Sequence, residues 1–307
     1  MAEPATGASA SRRCGFVALI GAPNVGKSTL INALVGAKVT IVSPKVQTTR
    51  MLVRGVATEG DAQLVFLDTP GIFAPKRRLD RAMVKSAWAG ARDADIVGVM
   101  IDAKRGLDRE TGALLEQLAG VRQQKLLLIN KVDLVAKPQL LALAKEANER
   151  AALEGTFMIS ALTGDGVGDL KAWLAGHAPA GPWHYPEDQI TDAPMRQLAA
   201  EITREKLYLR LHQELPYQST VETDIWKEMK DGSVRIEQTI YVERESQRKI
   251  VLGKGGATIK AIGAQARREI AEILEQPVHL FLFVKVRAGW GDDPERYREM
   301  GLDFPKE

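Results

Sequence analysis

One octapeptide constrains this chain more than any other feature. It is Gly21-Ala22-Pro23-Asn24-Val25-Gly26-Lys27-Ser28, with Thr29 behind it. The apolar run Phe16–Ile20 precedes it, and a helical pattern, Lys27–Val35, begins inside it. A strand that turns through glycines into a helix is the setting in which this spacing holds phosphate. Gly21 and Gly26 let the backbone curl, so that successive N–H groups face anionic oxygens. The helix N-terminus adds partial positive charge. Lys27 supplies a full charge for terminal phosphates, and Ser28 a hydroxyl placed for Mg2+.

The first half continues in the same alternation. Leu64–Leu67, Ile96–Ile101, Leu126–Ile129 and Thr156–Ile159 read as further buried strands, with helical stretches at Leu79–Ala91, Arg109–Leu118 and Pro138–Ala152. Such alternation predicts a parallel sheet with helices on both faces, an α/β fold. A length of 307 residues predicts two domains. Hydrophobic residues at 45% and charged residues at 26% exclude a disordered or fibrous chain. No apolar run approaches the roughly 18 residues of a spanning helix. The single cysteine, Cys14, excludes an intramolecular disulfide framework and any multi-cysteine metal site. Residues 1–12 read as a flexible leader, not a secretory signal, which makes the cytosol the default compartment. Residues 13–178 form the first domain, and the proline-bearing stretch 179–193 a linker.

Residues 194–307, the second domain with its tail, have another order. A helix Pro194–Glu214 is followed by extended segments Thr220–Lys230 and Ser233–Glu243 around Asp231-Gly232, a dipeptide suited to a hairpin turn. Val234, Ile236, Ile240 and Val242 fall on one strand face. A short helix, the loop Gly253-Lys254-Gly255-Gly256, a longer helix to Glu275 and a strand Val278–Arg287 complete an αββααβ order. The net charge of 42 − 39 = +3 decides nothing. Segment 244–268 is locally basic, with Arg244, Arg248, Lys249, Lys254, Lys260, Arg267 and Arg268 against Glu245 alone.

Three more clusters follow strands of the first half. Asp68-Thr69-Pro70-Gly71 ends the strand Leu64–Leu67, where open α/β sheets bind ligands. Asp68 can hold Mg2+ through water, and Gly71 can offer an N–H to a γ-phosphate. Asn130-Lys131-Val132-Asp133 follows Leu126–Ile129. The Asp133 carboxylate can accept the paired N–H edge of guanine, and adenine would leave it unpaired. Lys131 can lie over the base, and Asn130 can tie this loop to the phosphate loop. Ser160-Ala161-Leu162 can close over the base with backbone N–H groups.

In this order the motifs resemble the P-loop GTPase set. The resemblance implies that Thr49, in Gln47-Thr48-Thr49-Arg50, completes the magnesium shell and reports the γ-phosphate, with Thr48 the alternative. Lys27, Thr49 and Gly71 are then the catalytic set. Ile72 stands where Ras-like enzymes carry a glutamine that orients water, so unaided hydrolysis is expected to be slow. Asn24 looks like the asparagine that helps hold a monovalent cation in potassium-stimulated relatives, which adds K+ to GTP/GDP and Mg2+ as a cofactor to test.

The Gly-x-x-Gly loop in an αββααβ order resembles the type II KH domain. Gly253, Gly255 and Gly256 would admit an RNA backbone. Arg248, Lys249, Lys254 and Lys260 would meet phosphates, and Val251, Leu252, Ile259 and Ile262 would form a floor for unstacked bases. Arg267 and Arg268 read equally well as a solvated helix face. Trp183, Trp226 and Trp290 read as packing residues, and Asp95, Asp102 and Asp108 as surface or loop residues without a role. GTPase plus KH, with the run from Gln276 to Trp290, resembles the Era family of ribosome-assembly GTPases. That resemblance implies a monomer bound near the 3′ end of small-subunit ribosomal RNA in the assembling 30S subunit, with peripheral contact at the inner face of the cell membrane. No anchor or lipidation motif supports the membrane contact. Two rivals are a signalling GTPase whose C-terminal domain docks a protein and a tRNA-modifying GTPase. A steep fall of affinity with salt separates RNA from the first. The lack of further cysteines or cofactor motifs argues against the second.

Overall fold

The structure is a computed structural model that describes residues 12–45, 48–75, 77–211, 215–289 and 293–305. The leader up to residue 11, Gln47, Trp290 and the expected helix end at Glu214 lie outside the described residues.

The first sheet holds β1 (Arg13–Gly21), β2 (Val53–Glu59), β3 (Ala62–Asp68), β4 (Ile96–Asp102), β5 (Gln124–Asn130) and β6 (Gly155–Ile159) in the order β2-β3-β1-β4-β5-β6. The strands are parallel except β2, which pairs antiparallel with β3. The strands expected from the sequence, β1 and β3 to β6, are all parallel, and β2 is an addition to them. Arg54 and Gly55 break the apolar run of β2, and its edge position asks for no second buried face. Helices α1 (Lys27–Val35) and α5 (Val167–His177) cover one face. Leu30, Ile31, Leu34, Leu170 and Leu174 pack there on Leu19, Phe66 and Leu128. Helices α2 (Arg78–Asp93), α3 (Arg109–Gln117) and α4 (Lys137–Arg150) cover the other. Ala91, Leu115 and Leu143 meet Ile20, Val99 and Ile129 there. Strands buried on both faces read as continuous apolar runs, which is why β3 to β5 stand out in the sequence. The glycine-bearing α5 did not.

The second sheet has the order β7-β8-β9. Its elements run α6 (Met195–Arg210), β7 (Ser219–Glu228), β8 (Val234–Val242), α7 (Glu245–Leu252), α8 (Ala257–Leu274) and β9 (Val278–Val286). β7 and β8 are antiparallel, and β8 and β9 parallel. Gly232 takes φ 79°, and the Asp231 carboxylate accepts from Ser233 N at 3.0 Å, which closes the hairpin. Val234, Ile236, Ile240 and Val242 are all buried against the helices. A last helix, α9 (Pro294–Glu299), was not expected. Tyr297, Met300 and Leu302 pack on Leu79, Ala82 and Met83 of α2, which joins the two halves.

A second junction is polar. The segment between α1 and β2 lies along α6. Glu205 Oε1 accepts from Val42 N at 2.8 Å, and Lys38 Nζ reaches Glu205 at 2.7 Å. Arg204 donates to Thr48 O at 2.5 Å. The buried Arg50 donates to Ser219 O at 2.8 Å and to Tyr208 Oη at 2.7 Å.

Candidate nucleotide site and nucleic-acid interface

The phosphate-loop sequence folds as its glycines require. Gly26 sits at φ 101°, and a Cβ there would lie 2.3 Å from Asn130 Nδ2. Lys27 is buried at the start of α1, where its ammonium donates to the carbonyls of Gly21 at 3.2 Å and Ala22 at 3.1 Å. Burial pushes the Lys27 pKa down to about 8, against the pull of the Asp68 carboxylate. The loop borders a cleft of about 380 Å3. Pro23, Asn24, Gly26–Thr29, Thr48, Thr49, Gly71 and Lys131 line it, with residues 41–44 on the far wall.

Asp68 is fully buried at the end of β3. Its Oδ2 accepts from Thr40 at 2.7 Å, Ser28 at 2.8 Å and Thr49 at 3.1 Å. Its Oδ1 is buried with no hydrogen-bond partner among the described residues. Burial raises the Asp68 pKa, while the Thr40 hydroxyl, then Lys27, Ser28 and Thr49 lower it. One carboxylate with an unmatched oxygen and hydroxyls at hydrogen-bond distance form an all-oxygen donor set. That set fits a small hard divalent cation such as Mg2+. Thr48 turns elsewhere, with its hydroxyl 2.6 Å from Ser43 Oγ and donating to Lys45 O. Thr40 was missed in the sequence, because nothing local links it to Asp68.

Gly71 passes directly over the phosphate loop, and a Cβ there would stand 2.9 Å from Pro23 N. The next residue, Ile72, donates its N–H to Gly21 O at 2.9 Å and packs its side chain into the second core layer. Thr69 Oγ1 donates to Leu19 O at 2.6 Å, which holds the turn at Pro70 beside β1.

Asn130 is buried and donates to Val25 O at 2.8 Å, while its Oδ1 accepts Ala161 N at 2.9 Å. It therefore links the phosphate loop to the Ser160–Leu162 turn. Lys131 adopts φ 65° and donates to Asn24 O at 2.8 Å. It also pairs with Asp102 at 2.6 Å. Asp102 is 7% exposed at the end of β4, which corrects its reading as a surface residue without a role. A strand-end aspartate, like Asp68, was the available signal. Asp95 accepts Phe16 N at 2.8 Å, and Asp108 caps α3. Asp133, within the 3-10 turn Val132–Leu134, and Leu162 stand exposed outside the cleft lining.

On the other half, α7 and α8 meet at the glycine loop. Gly253, Gly255 and Gly256 sit at φ 72°, 59° and 77°. Gly253 is held by its surroundings too, since a Cβ would meet Thr258 Oγ1 at 2.3 Å. Lys249, Lys254 and Lys260 are exposed, whereas Arg248 is engaged with Glu245 at 2.8 Å and Val284 O at 3.2 Å. A groove of about 350 Å3 runs between α8 and β9, lined by Ile259, Lys260, Gly263, Ala264, Arg267, Leu280 and Leu282. The expected floor is thereby corrected. Val251 and Ile262 are wholly buried in the core, and Leu280 and Leu282 take their place in the groove. Trp226 packs against the second core, and Trp183 donates to Asp61 O at 3.1 Å.

A phosphate loop on a six-stranded sheet covered by helices on both faces, joined to an αββααβ unit with a glycine loop, defines a P-loop GTPase with a KH domain. Family comparisons agree. A 50S ribosome-binding GTPase model matches residues 16–131, and a KH domain model matches 214–291. The chain belongs to the Era family of GTPases. It is 71% identical over 306 residues to GTPase Era of Bradyrhizobium sp. strain BTAi1, covering 100% of this chain and 99% of the relative. It is 73% identical over 295 residues to GTPase Era of Afipia carboxidovorans, covering 96% of each. Era solved with MgGDPNP and nucleotides 1506–1542 of 16S ribosomal RNA superposes with a TM-score of 0.90 at 38% identity, over 94% of this chain and 99% of that one. An Aquifex aeolicus Era variant bound to GDP and AlF4− gives 0.89 at 39%, with the same coverage.

Proposed function

We propose that this chain binds and hydrolyses GTP, and uses the bound nucleotide to set its hold on the 3′ end of small-subunit ribosomal RNA during 30S assembly. One observation carries the reading. Residues 38–45 and 48–50 are held from two sides: Thr40 and Thr49 lie on Asp68, while Val42, Thr48 and Arg50 bond to α6 and its neighbours in the KH domain. A change at the phosphates is therefore a change at the interface.

The phosphate loop Gly21–Thr29 holds the β- and γ-phosphates, with Lys27 as the charge. Ser28, Thr49 and, through water, Asp68 hold Mg2+, which when bound neutralises charge on the phosphates. Asp68-Thr69-Pro70-Gly71-Ile72 senses the γ-phosphate. Asn130, Lys131, Val132 and Asp133, with Ser160, Ala161 and Leu162, select guanine. Ile72 cannot orient water, so hydrolysis is slow unaided, and Asn24 makes K+ stimulation the expectation; equal rates in Na+ and K+ would remove that part. Domain limits of 13–178 and 194–307 with a 179–193 linker follow from the same reading, as does a cytoplasmic monomer. No helix among the described residues is long and apolar enough to cross a membrane. Peripheral contact at the inner membrane face, which the resemblance implies, belongs to the same reading and is tested by vesicle flotation. RNA contacts fall to Lys249, Lys254, Lys260 and the loop Gly253–Gly256, with Arg248 behind them.

The deciding measurement is RNA affinity in GDP and in a GTP analogue across salt. A difference between nucleotides and a fall of roughly 0.7 log units per phosphate contact per log of salt are expected. Equal affinity in both nucleotide states refutes the gating. A flat salt response favours a protein partner.

A further inference from the structure

β9 is an edge strand whose side chains alternate between two surfaces. Leu280 and Leu282 face the groove beside the glycine loop. Phe281 and Phe283 face the opposite side of the sheet and are 45% and 47% exposed. A soluble protein does not normally leave two neighbouring phenylalanine rings in water without a use for them. Strand geometry separates the two Cα atoms by about 6.6–6.8 Å on one face.

Two basic side chains flank the rings. Lys285 follows on the same face, and the register sets Arg235 opposite His279, Glu237 opposite Phe281 and Thr239 opposite Phe283. The Arg235 guanidinium lies 5.0 Å from the Phe281 ring centre. The acids on this face are engaged within the sheet: Glu237 accepts from Arg235 at 2.9 Å, and Asp224 of β7 accepts from the Thr239 hydroxyl at 2.6 Å. Glu222 pairs across β7 and β8 with the same Thr239. A protein-docking core would be depleted of charge at its centre. Isolated rings flanked by Lys and Arg on an open sheet match what unpaired bases need: faces to stack on, and cations for the linking phosphates.

We propose that the outer face of β9, centred on Phe281 and Phe283 with Lys285 and Arg235, is a second contact for single-stranded RNA. A strand that leaves the groove passes round the sheet edge and stacks unpaired bases on the two rings. The proposal rests on the RNA-binding reading above and extends its footprint from the groove to the opposite side of the same strand.

The test uses the full chain with the GTP analogue bound and two synthetic RNAs. One spans nucleotides 1506–1542 of 16S ribosomal RNA, and the other is a short 3′-terminal oligomer that fills only the groove. Phe281→Ala and Phe283→Ala, both at exposed positions, are compared with Lys254→Ala in the groove loop, and basal GTP hydrolysis serves as the folding control. Loss of a stacked base costs roughly five-fold to one-hundred-fold in affinity. The long RNA is expected to lose this much in each phenylalanine variant while the short oligomer keeps its affinity, and Phe283→Trp is expected to retain the long RNA. Wild-type affinity of both phenylalanine variants for the long RNA, with Lys254→Ala still weakened, overturns this surface and leaves the groove standing. Equal losses for both RNAs also overturn it, since the rings would then act through the groove. No RNA binding by the wild type overturns the underlying reading instead. Concentration-dependent self-association abolished by the phenylalanine variants, without change in RNA affinity, assigns the face to a second copy and overturns the proposal.

Discussion

Replacing Arg50 by Ala should uncouple the nucleotide site from the KH domain. Arg50 follows Thr49 directly, yet its guanidinium lies wholly within the other half of the molecule, 2% exposed. It bonds to Ser219 O at 2.8 Å, Tyr208 Oη at 2.7 Å, and Pro216 O and Tyr217 O at 3.2 Å. The two short bonds from a charged donor contribute about 1.5–3 kcal/mol each. Burial of the cation, which lowers the Arg50 pKa, offsets part of this gain. The net loss in docking on truncation is then about 2–3 kcal/mol. Coupling between ligands typically amounts to about 1–3 kcal/mol, so the anchor is as large as the effect it would transmit. The assay is RNA affinity of wild type and Arg50→Ala, each with GDP and with a GTP analogue. The wild type should show a ratio between the two nucleotides, and the variant a ratio near one, with GTP affinity little changed. Arg50→Lys, which reaches fewer acceptors, should fall between. An Arg50→Ala protein that keeps the full wild-type ratio would refute this route of coupling.

Three further outcomes are expected. Lys27, held at about pH 8 by burial, should have an ammonium that triphosphate favours, so nucleotide binding above about pH 8 takes up a proton and weakens as pH rises. The unfolded chain binds the extra proton between about 8 and 10.5, so the folded protein without nucleotide gains stability over that window. Binding enthalpies that do not change with buffer ionisation heat near pH 8–9 would contradict this. Asp133→Asn should weaken GTP without abolishing phosphate binding, and a variant with intact GTP-over-ATP preference refutes the assigned role. Asp102→Asn should release Lys131 from its 2.6 Å pair and lower guanine nucleotide affinity about ten-fold, roughly 1.4 kcal/mol. Competition binding would measure it, and unchanged affinity would reduce Asp102 to a loop residue.

The sequence exposed what is local. The phosphate loop and the strands β3, β4 and β5 are written in contiguous residues, because glycine conformation and two-sided burial both act over a few positions. The αββααβ order was legible for the same reason, through Asp231-Gly232 and the one-faced pattern of β8. What escaped was long-range. Thr40 meets Asp68, and Lys131 meets Asp102, only after strands far apart in sequence are laid side by side. The anchoring of Lys38, Val42 and Thr48 on α6 has no periodic signature at all. Val251 and Ile262 show the converse, since apolar residues beside a binding loop can serve the core instead of the ligand.

The packing of α9 on α2 ties folding to synthesis. Leu79, Ala82 and Met83 emerge from the translating ribosome long before Tyr297, Met300 and Leu302 arrive to cover them. A nascent chain stalled in between carries a finished phosphate loop above an oily, uncapped flank. Covering of that flank thus waits until residues 297–302 have been made, and a product cut off before them leaves Leu79 and Met83 facing water.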